Sequence, residues 1–145
     1  MPDALTSPAT LETLLRLAGI GQLILVAASP AIPRVLRWRE ELQTRVRPLT
    51  RQLFWTYACY IWVSHIAFGL LSTFGPHLLV ARSPLARLVS GFIACWWSAR
   101  LVIQFTYFDR SAAPQGRLYQ MAEPALVLLF VGLASIYWLA ALGGG

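Results

Sequence analysis

Four long apolar runs separated by short polar stretches set the pattern of this chain, at residues 11–32, 49–74, 84–108 and 118–142. Each is long enough to cross a hydrocarbon layer as a helix, since about 20 residues rising 1.5 Å each cover its ~30 Å thickness. In lipid the backbone N–H and C=O groups must find partners within the segment, so a run of this kind defaults to helix. The pattern predicts an all-α fold with a single membrane domain over 1–145, an integral membrane four-helix bundle. The punctuation agrees. Pro30 and Pro33 close the first run, Gly75-Pro76 closes the second, and the turn-rich DRSAAPQGR separates the third from the fourth. Residues 1–10, with Pro2, Ser7 and Pro8, read as a disordered tail, and the closing three glycines as a flexible end.

The polar stretch after the first run is unlike the others. Residues 33–51 carry Arg34, Arg37, Arg39, Arg45, Arg47 and Arg51 against only Glu40 and Glu41. Val35, Trp38, Leu42, Val46 and Leu49 recur there at steps of three and four, which is one stripe of a helix. The spacing predicts an amphipathic helix over 33–47, between spans 1 and 2, with Pro33 at its start and Pro48 at its stop. A basic amphipathic helix with Trp on its apolar side is expected to lie in a membrane interface, through Arg34, Arg37, Trp38, Arg39, Arg45 and Arg47.

Arginine also sets orientation. Four spans put both termini on one side, and the Arg-rich segment then shares the other side with Arg110 and Arg117. The positive-inside rule makes that second side the cytoplasm, so the expectation is a multi-pass protein of a bacterial inner membrane, N-out and C-out.

Composition sharpens this picture. Hydrophobic residues make up 57% and charged residues 12%, with mean hydropathy +0.59, far from a soluble average. The formal charge of +6 does not indicate a nucleic-acid partner, because it gathers at the ends of apolar runs instead of covering a solvated face. All twelve basic residues are Arg, which a GC-rich coding sequence explains more simply than headgroup preference. The acidic start MPDALTSPATLE lacks the positive region of a signal peptide, so the first run is expected to stay in the chain. Cys59 and Cys95 fall inside apolar runs without CxxC or metal spacing and read as small hydrophobes.

Small residues mark where helices should meet. The third span carries two rows at every fourth position: Ser90, Ala94, Ser98 and Gly91, Cys95, Ala99. Such rows let backbones approach closely in lipid, so this helix is expected at the centre, with Gly132 and Ser135 as contact points on the fourth. An internal echo, Leu-x-Arg-Leu at Leu14 and again at Leu85, raises the question of a duplicated helix pair, though a Leu/Arg-rich chain produces such matches by chance.

Polar side chains within the runs are the site candidates: Gln22, His65, Arg100, Gln104 and Glu123. His65 shares a face with Ala58, Gly69 and Ser72. It could ligate a haem or chlorin metal singly or relay a proton. A neutral imidazole hydrogen-bonded across helices is the simpler reading. Bis-His haem binding would need a second histidine at similar depth, and His77 lies beyond the helix end. Arg100 sits roughly 12 Å from the end of the third span and Glu123 roughly 7 Å into the fourth, by the helical rise. An Arg100–Glu123 pair with Gln104 as third member is therefore expected, as a lock between helices or as a headgroup site for a lipid or quinone. Trp96 and Trp97 point about 100° apart on a helix, so one should pack while the other faces lipid.

Soluble-enzyme signals are missing: the chain has no Walker A loop, GxGxxG or HExxH. No catalytic residues, metal site or cofactor are predicted, with haem, pigment and quinone left open. The stretch LLRLAGIGQLILVA, the four-span layout and the length resemble the DoxX-like group of small bacterial membrane proteins. That resemblance implies a redox or quinone setting, since some of the group are small subunits of membrane redox complexes. The reading adopted is a non-catalytic membrane protein, an accessory or scaffold subunit whose partners are the lipid bilayer and other membrane chains or its own copies. The alternative is binding or transport of a hydrophobic small molecule within the bundle, and an intramembrane enzyme has least support.

Overall fold

The computed structural model describes residues 7–107 and 117–143, without the side chains of 117–120. The expected tail over 1–6, most of the loop after the third span, with Asp109 and Arg110, and the last two glycines lie outside the described residues. Seven helices follow in order among the described residues: α1 Pro8–Ala28, α2 Ala31–Val35, α3 Trp38–Arg45, α4 Pro48–Phe74, α5 Pro76–Leu79, α6 Pro84–Thr106 and α7 Arg117–Leu142. No strand occurs among them. Among the described residues four stretches are long and apolar enough to cross a membrane: Pro8–Val35, Pro48–Phe74, Pro84–Thr106 and Met121–Leu142.

Helix starts are written locally. Ser7 caps α1, its Oγ accepting from the Thr10 N–H at 3.3 Å, and Pro8 occupies the first helical position, where no N–H is needed. Ser83 and Pro84 repeat the device on α6, with Ala86 N–H donating to Ser83 Oγ at 3.1 Å. The tail expected over 1–10 is therefore helix from residue 8. These two starts also weaken the internal echo. Arg16 is the ninth residue of α1 and Arg87 the fourth of α6, so the repeated Leu-x-Arg-Leu falls at different depths.

The amphipathic helix expected over 33–47 is broken into α2 and α3 by an elbow at Leu36 and Arg37. Arg37 has φ 50 and ψ 34, a left-handed conformation costing roughly 1–2 kcal/mol for an L-residue with a side chain. The elbow brings Trp38 edge-on to Phe54 of α4, with ring centroids 5.6 Å apart. Only the middle of the predicted stripe turns inward. Trp38, Leu42 and Val46 are half-buried, while Val35 and Leu49 are 63% and 67% exposed.

The long helices pack as two antiparallel pairs, α1 with α4 and α6 with α7, joined by α1 against α7. The first pair crosses at glycine. A Cβ added to Gly19 would stand 2.5 Å from Thr73 Oγ1 and 2.8 Å from the Gly69 carbonyl oxygen. The second pair buries Ser90, Ile93, Ala94 and Trp97 of α6 against Phe130, Leu133 and Tyr137 of α7. One predicted row of small residues, Ser90 and Ala94, thus does face the partner, whereas Cys95 and Ala99 of the other row are exposed.

Two placements differ from expectation. A Cβ added to Gly132 would meet nothing within 4 Å, and Ser135 is exposed, so neither is a contact point. The alanines Ala134, Ala140 and Ala141 take that role, because their face of α7 is the one turned inward. The central helices are α1 and α7, not α6: α1 meets α4 and α7, α7 meets α1 and α6, and 28% and 33% of their most apolar windows are buried, against 22% for α6 and 11% for α4. Helix α4 is the outlying one, with Gly69 and Ser72 as its buried residues.

Candidate functional site

Two polar clusters lie inside the helix assembly. The first is centred on Tyr137 of α7, a fully buried phenol. A buried Tyr hydroxyl needs a partner, and here it has two. Gln22 Nε2 of α1 donates to the Tyr137 Oη, and Ser72 Oγ of α4 is hydrogen-bonded to the same oxygen. Gln22 and Ser72 are also fully buried. One hydroxyl thus links three helices, α1, α4 and α7, and ties one antiparallel pair to the other. Ser72 is delivered by the small-residue face of α4, whose glycine Gly69 one turn earlier lets α1 approach.

The second cluster is a layered stack. The His65 ring lies on Trp97 at 4.9 Å, Trp97 lies on Phe130 at 5.2 Å, and the Arg100 guanidinium sits 5.2 Å from the Phe130 centroid. Trp97 is fully buried in the middle. Trp96, its neighbour, donates its indole N–H to His65 Nε2 at 3.0 Å and packs its edge against Phe68 at 5.6 Å. Arg100 donates to Gln104 Oε1 at 3.0 Å, one turn along α6. The order His, Trp, Phe, Arg alternates ring faces with a cation over the last of them, an arrangement favoured by the ring quadrupoles.

The residues singled out from sequence thus sort clearly. His65, Arg100 and Gln104 meet in one region spanning α4, α6 and α7. His65 does make an interhelical hydrogen bond, although its partner is the Trp96 indole in place of a serine or a carbonyl. Glu123 is half-buried on α7, two turns before Phe130 and so roughly 10 Å nearer the start of that helix by the helical rise. Since Arg100 stands over Phe130, the backbone of Glu123 falls nearer the level of Gln104 and the end of α6. Arg34, Arg37, Arg39, Arg45 and Arg47 are all exposed, and Trp38 is half-buried against Phe54.

His65 is the residue singled out as a haem or chlorin ligand. Its Nε2 already accepts from Trp96, and one ring face is covered by Trp97. His77 is exposed on α5, on the far side of the Gly75 turn. Among the described residues no three His, Cys, Asp or Glu side chains converge.

Sequence reasoning passed over Tyr137, Trp97 as a stacking plate, and Phe130. Aromatic residues are ordinary in apolar runs, and only helix rotation shows which of them turn inward. One signal was present: Gln22, an amide in an apolar run, needed a partner at its own depth on another helix. Three buried polar atoms have no hydrogen-bond partner among the described residues: Gln22 Oε1, Ser90 Oγ and Trp97 Nε1. Further ties cross the pairs' outer seams. Trp62 Nε1 donates to the Val26 carbonyl at 3.1 Å, and Arg87 Nε donates to the Ala141 carbonyl at 3.1 Å.

No protein-family model, curated protein or solved structure matches the chain, so its likeness to the DoxX-like group rests on residues 14–21 and the four-span layout alone.

Proposed function

We propose that the chain is a non-catalytic integral membrane protein, a four-helix bundle serving as an accessory or scaffold subunit of a membrane complex. One observation carries this reading: two interior polar groups, Tyr137 and His65, are engaged by side chains of other helices. Tyr137 takes up Gln22 and Ser72, and His65 takes up Trp96. A group held this way stabilises helix association in lipid, where an unsatisfied polar group is costly. The exposed apolar surface of α4, including Tyr57, Tyr60 and Ile61, is what a helix facing lipid or another membrane chain presents. The arginines of residues 34–47 mark the cytoplasmic interface in this reading, which leaves both termini outside.

A second reading, binding of a hydrophobic small molecule with a polar group, is favoured by the three partnerless atoms Gln22 Oε1, Ser90 Oγ and Trp97 Nε1. Native mass spectrometry of the protein extracted in mild detergent separates the two. The scaffold reading expects the 16.1 kDa chain in complex with a larger membrane chain or its own copies, carrying no stoichiometric small molecule. A reproducible extra mass of small-molecule size, lost in Trp97→Phe, would instead establish the binding reading.

A further inference from the structure

The elbow at Arg37 creates a feature that the scaffold reading does not use. Between α3 and the start of α4 lies an open groove of about 400 Å³, lined by Trp38, Leu42, Val46 and Phe54, with Glu41 and Arg45 at its rim. Its floor is apolar. The opposite face of α3 is polar and exposed, with Arg39, Glu40, Gln43 and Thr44.

We propose that this groove holds one anionic phospholipid, with an acyl chain along Trp38, Leu42, Val46 and Phe54 and the phosphate on Arg45, which lines the groove, and on Arg47, the exposed residue after Val46. The proposal rests on the membrane reading above and adds a discrete lipid site to it. Charge is the first support. Arg34, Arg37, Arg39, Arg45 and Arg47 are exposed and have no ion pair or side-chain hydrogen bond among the described residues. Five guanidinium groups without an internal partner are well matched to a phosphodiester, which arginine binds in a fork. The two acids of the segment, Glu40 and Glu41, leave the arginines in excess.

Position is the second support. The groove stands where the candidate span Pro8–Val35 ends and the span Pro48–Phe74 begins, the level at which headgroups meet acyl chains. Trp55 stacks edge-on against Phe54 at 5.5 Å and extends the aromatic wall at that level. An acidic protein segment would satisfy the arginines equally well, but it would not explain an apolar floor continuous with the ends of two spans.

The test uses the full chain in nanodiscs made of equal parts phosphatidylglycerol and phosphatidylcholine, with retained lipids read by native mass spectrometry. The wild type should retain phosphatidylglycerol preferentially. Arg45→Gln and Arg47→Gln should each lower that preference about fivefold, the ordinary contribution of one arginine at an anionic surface. Trp38→Ala should lose retained lipid of both kinds, and Trp38→Phe should keep it. Circular dichroism checks the fold; if Trp38→Ala loses helicity, Leu42→Gln takes its place. Equal retention of both lipids by the wild type overturns the proposal. So does a Trp38→Ala protein that keeps its phosphatidylglycerol, because attraction would then be to charge alone. A larger acidic chain retained in place of lipid also overturns it. A chain that never enters the nanodiscs refutes the membrane reading itself, not merely the groove.

Discussion

Trp97 is held on both faces, by His65 at 4.9 Å and by Phe130 at 5.2 Å, and this fixes the role of its neighbours. With Trp97 as a plate, His65 points its Nε2 at the Trp96 indole, and Arg100 is left to cover the outer face of Phe130. His65→Phe separates stacking from hydrogen bonding. The ring remains against Trp97 while the Trp96 N–H loses its acceptor, so reversible unfolding in bicelles should show a loss of about 0.6–2 kcal/mol. Unchanged stability would mean that the hydrogen bond contributes nothing. His65, Arg100 and Gln104 were legible in the sequence because polar groups are rare in apolar runs. Tyr137, Trp97 and Phe130 were not, because an aromatic residue turned outward and one facing a helix look alike along the chain. The relative depth of Arg100 and Glu123 depends on the register of α7 against α6, which the packing of Phe130 on Trp97 sets.

At the scale of elements, glycine position and not glycine presence decides contact. Gly19 and Gly132 both lie in apolar runs, yet a Cβ on Gly19 would collide with the backbone and side chain of α4, and one on Gly132 would meet open space. Gly19→Ala should therefore destabilise the fold by about 1–3 kcal/mol through forced separation of α1 and α4. Gly132→Ala should be neutral or slightly stabilising, as expected for a helix position without a neighbour. Thermal unfolding in the same detergent reads both, and equal effects would contradict the crossing at Gly19. The four long helices were legible from length and hydropathy. The split of 33–47 into two helices was not, since nothing in a regular stripe of apolar residues announces a left-handed Arg37.

The described residues divide into the α1·α4 and α6·α7 pairs, each tied by a side chain of one helix on the other. Orientation belongs to this scale. With Cys59 and Cys95 replaced by Ala, an impermeant thiol reagent applied outside should label a cysteine at Gly144 and not one at Gln43; the reverse would invert the topology. The pairs are joined by His65 of α4 on Trp96 and Trp97 of α6, and by Tyr137, which receives Gln22 from α1 and Ser72 from α4. The most direct measurement is therefore a double-mutant cycle on Gln22→Leu and Tyr137→Phe, read by reversible unfolding of the full chain in bicelles. If the interior polar groups serve to hold the helices together, each single change destabilises, and the double change costs less than the sum by about 1 kcal/mol. Additive effects, or single changes without effect on stability, would contradict the structural role and return these residues to the search for a ligand.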